Sequence, residues 1–132
     1  MKAINIKQPW AWAIAGGHKT IETRTWPTNY RGELLIVASK TPDRAMMEWF
    51  RCNVGYMGLS EVEYGKAIAV ARLAGCRLMT VADEDAAMCD IYNGAYSWVL
   101  EDVKKINSFP MTGQLGLYEV PEMFMKNVRG YL

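Results

Sequence analysis

Apolar and polar positions change period several times along the chain, and the changes mark its elements. Ala3 to Ile6 predicts a short first strand. Pro9, with φ fixed and no N–H to donate, suits the first turn of a helix. Trp10, Ala13, Ile14 and Gly17 then recur at helical spacing, and Gly16-Gly17 supplies the stop. Beyond it the β-branched run Thr20-Ile21-Glu22-Thr23-Arg24-Thr25-Trp26 predicts a strand. Side chains alternate on a strand, so Thr20, Glu22, Arg24 and Trp26 share one face and Ile21, Thr23 and Thr25 the other. Pro27 to Gly32 has the composition of a turn.

Glu33 to Ser39 is a mostly apolar run of strand length, suited to burial on both faces. Thr41-Pro42-Asp43 predicts a helix start, with Thr41 as N-cap. Met46, Met47, Trp49 and Phe50 form its apolar body, and Asn53 to Gly58 closes it. Ser60 is expected to cap one further helical turn, ended by Gly65. Lys66 to Met79 predicts a long strand kinked at Gly75. Asp83-Glu84-Asp85 marks the acidic start of a short helix. Tyr96 to Ile106 and Gln114 to Val120 predict two more strands, separated at Pro110, and Pro121 precedes a helical turn with Met123 and Phe124. Strands interleaved with short helices lack the βαβ rhythm of a doubly wound sheet. The expected class is α+β: a small mixed, mainly antiparallel β-barrel with short helices packed on its outside.

Composition narrows the picture. A chain of 132 residues, 51% of them hydrophobic, predicts a single domain spanning residues 1–132 with a real core. A net charge of +1 excludes strong attraction to nucleic acid by overall charge, but leaves a local basic cleft open. Cys52, Cys76 and Cys89 are widely spaced, there is no CxxC, and His18 is the one histidine. No metal site or cofactor is expected, and free thiols fit a reducing compartment. Lys2, Lys7, His18 and Lys19 interrupt the first twenty residues. No signal peptide or membrane span is therefore expected, and the cytoplasm is the expected location.

The stretch Lys7 to Trp26 gathers a lysine, a carboxylate, a guanidinium and an indole within one helix–turn–strand unit. Its pattern Gly17-x-Lys19-x-x-Glu22-x-Arg24, with Ile6-Lys7-Gln8-Pro9-Trp10 before it and Trp26-Pro27 after it, resembles the signature of the ASCH domain family, a branch of the PUA-like folds. The resemblance implies a compact, mainly antiparallel barrel whose first helix and sheet flank a cleft lined by the signature residues.

Each candidate has a structural alternative. Lys19 offers a point charge for phosphate or an oxyanion, or is a solvated corner. Glu22 accepts hydrogen bonds from a base edge, acts as a general base, or anchors Arg24. Arg24 holds phosphate in bidentate fashion, or simply pairs with Glu22. Trp10, Trp26 and Tyr30 are candidate stacking platforms, whereas Trp12, Trp49 and Trp98 are expected in the core. Gln8 faces the cleft or caps the helix. Ser39 and Lys40 are placed near the same rim by the resemblance, with Lys40 contacting phosphate or flanking a helix. His18 is expected on an exposed turn.

Three functions follow. The first is a module that binds RNA or a nucleotide or nucleoside through base and phosphate. The second is a hydrolase with Lys19 and Glu22 catalytic. Some members of the resembling family deacylate a modified cytidine using a lysine, a threonine and a glutamate, and ribonuclease activity is attributed to others. The threonine position is Glu22 here, and the family's glutamate falls in the excursion holding Asp83, Glu84 and Asp85. The third is a protein-interaction domain in transcription regulation, using apolar residues within Met46 to Tyr56.

Overall fold

The computed structural model describes residues 1–53 and 62–132. Six strands form one sheet: β1 (Lys2–Ile6), β2 (Ile21–Arg24), β3 (Gly32–Ala38), β4 (Lys66–Leu78), β5 (Tyr96–Pro110) and β6 (Leu117–Glu119), in the order β2-β5-β4-β3-β1-β6. Every pairing is antiparallel except β1 with β3. Register shifts along the β4–β5 ladder, one of them between Leu73 and Gly75, twist and curl the sheet. The result is the expected α+β fold, a mainly antiparallel sheet rolled into a partial barrel. Among the described residues no helix is long and apolar enough to cross a membrane.

β3 explains how the sheet is covered. Its alternate residues serve two cores: Leu34, Ile36 and Ala38 join Ile4, Ile6, Trp98 and Leu100, while Leu35 and Val37 join Ala3, Val70, Phe109 and Tyr118. The first core is roofed by helix α1 (Trp10–Ala15) through Ala11 and Ile14. The second is roofed by the C-terminal segment, with Phe124 and Met125 of α4 (Glu122–Met125) and Val128. Burial on both faces is why this run carries almost no polar residues.

At six residues, α1 is too short to persist alone. Gly17, at φ +80°, closes it. His18 N–H donates to Ala13 O at 2.9 Å and Gly17 N–H to Ile14 O at 3.0 Å, the paired bonds of a Schellman end. Gln8 secures the other end, its Oε1 accepting Trp12 N–H at 2.8 Å.

Helix α2 (Arg44–Asn53) begins later than expected. The cap is Asp43, whose carboxylate accepts Met46 N–H at 3.2 Å; Thr41 lies upstream and exposed. Trp49 is 50% exposed rather than core, because α2 buries only Phe50, against the edges of Trp10 and Trp12. The expected closure over Asn53 to Gly58 and the turn capped by Ser60 lie largely outside the described residues. Helix α3 (Glu84–Ala87) follows a 3-10 turn at Val81–Asp83, as the acidic run predicts. β5 runs on to Pro110, beyond the expected Ile106, while β6 is shorter than expected.

Candidate functional site

The closing bonds of α1 determine where Lys19 goes. Its N–H shares the Ala13 carbonyl with His18, at 3.1 Å, so the chain turns tightly from helix into β2. The side chain runs inward and the residue is only 2% exposed. Lys19 Nζ donates to Ala87 O at the end of α3, lies 3.7 Å from Glu22 Oε1, and sits 5.0 Å from the ring centroid of Trp10. Each neighbour is electron-rich, as an ammonium with three donors requires. Burial pushes its pKa below the ordinary lysine value, and the Glu22 carboxylate opposes that shift.

Glu22 pairs across the ladder with Trp98 and is itself buried. Oε1 accepts Thr23 N–H at 3.1 Å and Oε2 accepts Arg24 Nη2 at 3.1 Å. The same Nη2 donates to Asn5 O at 2.9 Å. This bond spans from edge strand β2 to β1, so a guanidinium links the sheet where no backbone ladder joins those strands. Arg24 Nε is buried with no partner among the described residues.

The gap beside that link is a cleft of about 630 Å³. Trp10, Lys19, Glu22, Arg24 and Ser39 of the expected residues line it. Gln8, Trp26, Tyr30 and Lys40 are placed elsewhere. Gln8 is buried between Trp12 N and Glu63 O, the capping alternative. Trp26 lies in the bend just past β2, where its ring meets Trp98 edge-on at 4.7 Å and its carbonyl accepts Trp98 Nε1. Tyr30 donates its hydroxyl to Glu33 O at 2.6 Å, at the start of β3. Lys40 lays its stem over Gly65, away from the cleft. His18 is exposed and stacks on Trp12 at 5.2 Å.

The cleft also holds residues that sequence reasoning missed: Asn5, Lys7, Thr23, Cys89, Tyr92 and the loop Gly113 to Gly116. Thr23 was expected on the opposite face, but β2 is a short edge strand and the hollow reaches around it. Thr23 Oγ1 lies 4.0 Å from Cys89 Sγ. Gly113 and Gly116 bracket a loop where a strand was expected, and that glycine pair was the available signal. Nothing in the sequence pointed to Asn5, Cys89 or Tyr92.

Close approach holds the loop in place. A Cβ on Gly113 would lie 1.5 Å from Asn5 Nδ2, and Asn5 Oδ1 accepts the Tyr118 hydroxyl at 2.5 Å. Gly113→Ala is therefore expected to displace the Asn5 amide and destabilise by at least about 1 kcal/mol. A midpoint in urea equal to that of the unmodified protein would refute this.

None of the three acidic candidates after β4 lines the cleft. Asp83 is buried and accepts from Arg77, Thr80 N–H and Ser97 Oγ. Glu84 accepts Ile91 N–H at 2.6 Å. Asp85 lends its carbonyl to Met88 N–H, closing α3.

A curled, mainly antiparallel sheet with short helices packed against it is an α+β half-barrel. The ASCH domain model matches residues 4–110, and the chain belongs to that family. Its fold is similar to the crystal structure of the ASCH protein from Zymomonas mobilis, at 15% identity and a TM-score of 0.66, covering 98% of this chain and 94% of that one. Two point variants of the Zymomonas mobilis protein align at 14% identity and a TM-score of 0.62, over 98% of this chain and 96% and 94% of theirs. No curated protein matches.

Proposed function

We propose that the cleft binds a nucleoside, a nucleotide or a single unpaired RNA base. The observation carrying this is the Lys19–Glu22–Arg24 chain in a cavity of about 630 Å³, beside the indole of Trp10. That volume falls in the range of small-molecule sites. Buried ion pairs cost desolvation and seldom stabilise a fold on balance. Their place in an open seam supports a role in recognition. Trp10 and Tyr92 offer ring surface, and Asn5, Ser39 and Gln114 offer polar groups suited to base edges.

The test is a thermal-shift screen of nucleosides, nucleotides and short single-stranded RNAs. A ligand at a hundredfold excess over its dissociation constant adds about 2.7 kcal/mol to stability. Trp10→Ala is expected to weaken the best ligand about 5- to 150-fold, a loss of about 1–3 kcal/mol for one stacked ring. No shift anywhere in the panel would dismiss the proposal.

One observation favours a second function, hydrolysis of an acylated nucleoside. Thr23 and Cys89 place a hydroxyl and a thiol on the wall that also holds Lys19. Release of cytidine from the acylated nucleoside, abolished in Thr23→Val, would select this over binding alone. The protein-interaction alternative has less behind it, since its patch extends beyond the described residues.

A further inference from the structure

Charge in the seam is not balanced. Lys7, Lys19 and Arg24 line the cleft against one carboxylate, Glu22, although the whole chain carries only +1. Two of those cations already share Glu22. The inner chain therefore keeps one positive charge that no carboxylate among the described residues neutralises. A charge withdrawn from water is costly unless paired.

Donors are left over as well. Of the five N–H groups on Arg24, those of Nη2 serve Asn5 O and Glu22 Oε2. Nε is buried and unsatisfied among the described residues. Lys19 is too enclosed to touch a ligand broadly, but the Arg24 side chain is 27% exposed and Lys7 is exposed at the rim.

From this excess of charge and donors we infer that the cleft takes an anion, and that the anion is the phosphate of a nucleotide seated on Arg24 beside Lys7. The inference rests on the proposed nucleotide site and narrows its ligand to the phosphorylated class. With Nη2 committed and Nε buried, Nη1 of the guanidinium is the group left to donate to a phosphate oxygen. Phosphate supplies the missing counter-charge. It also stabilises the Lys19 ammonium behind it, whose charged form burial disfavours. With phosphate at the Arg24 end, the remaining cavity faces the Trp10 ring and leaves room for the base.

The test is calorimetric titration with the common ribonucleosides, their monophosphates and inorganic phosphate. A monophosphate is expected to bind at least tenfold tighter than its nucleoside, and inorganic phosphate to compete with it. Arg24→Gln is expected to erase that advantage, its folding checked by circular dichroism. Lys7→Gln alters an exposed side chain, so it keeps the fold and is expected to lower the advantage several-fold. Equal affinity for nucleoside and monophosphate would overturn the inference and leave the nucleotide site standing. An advantage undiminished in both variants would also overturn it, by seating the phosphate elsewhere. Binding of neither class would overturn the site itself.

Discussion

Glu22→Ala is expected to destabilise the protein by about 3–5 kcal/mol, the loss found when one partner of a buried ion pair is removed. Among the described residues Glu22 is the one carboxylate shared by Lys19 and Arg24, with its own side chain 11% exposed. Removing it leaves a buried ammonium beside a part-buried guanidinium and takes the acceptor from Thr23 N–H. Glu22→Gln keeps shape and an acceptor, and is expected to cost less. Lys19→Met combined with Glu22→Gln removes the buried ammonium along with the carboxylate, leaving only Arg24 without its counter-charge, and is expected to be more stable than Glu22→Ala. Urea denaturation of the three variants gives the comparison. A loss below about 1 kcal/mol in Glu22→Ala would mean that water reaches the triad and the pair is effectively a surface one.

Asp83→Ala is expected to cost about 3 kcal/mol near neutral pH, because hydrogen bonds between charged groups are each worth about 1.5–3. The carboxylate accepts from both Arg77 amino groups, from Thr80 N–H and from Ser97 Oγ, with its side chain 6% exposed. The Arg77 guanidinium holds its pKa well below the usual carboxylate range, aided by the Thr80 and Ser97 bonds. In the unfolded chain it returns to about 3.9. The stabilisation is thus complete above that value and is lost as pH falls below it toward the folded-state value. The stability gap between the unmodified protein and Asp83→Ala should narrow as pH is lowered from 6 to about 2.5. A gap constant over that interval would assign the loss to packing instead of charge. Because Asp83 lies outside the cleft, Asp83→Ala is expected to keep ligand affinity wherever it remains folded.

Several elements were legible because their signals are local. The Pro9 and Gly16-Gly17 stops bracket α1, and the apolar run of β3 announces burial on both faces. Gly75 lies where the β4–β5 register shifts. The motif around Lys19, Glu22 and Arg24 was legible as a unit because helix, corner and strand are adjacent in sequence. Trp26 and Trp98 show where local reading stops. The expected strand ran to Trp26, but β2 stops at Arg24 and Trp26 lies in the bend beyond it. Only the ladder reveals that Trp98 stands opposite Glu22 and takes Trp26 edge-on. Trp49 looked like core because helical spacing does not say which stripe of α2 finds a partner.

The sequence by itself determined the class of fold, most of its elements and the charged trio at its centre, since these depend on period, turn chemistry and near neighbours. Tertiary structure alone decided that the seam between β2 and β1 stays open. It also brought Asn5, Cys89, Tyr92 and the Gly113 to Gly116 loop to that seam from across the chain. Those contacts come from the curl of a six-stranded sheet, and curl accumulates over long-range register shifts that no single stretch encodes.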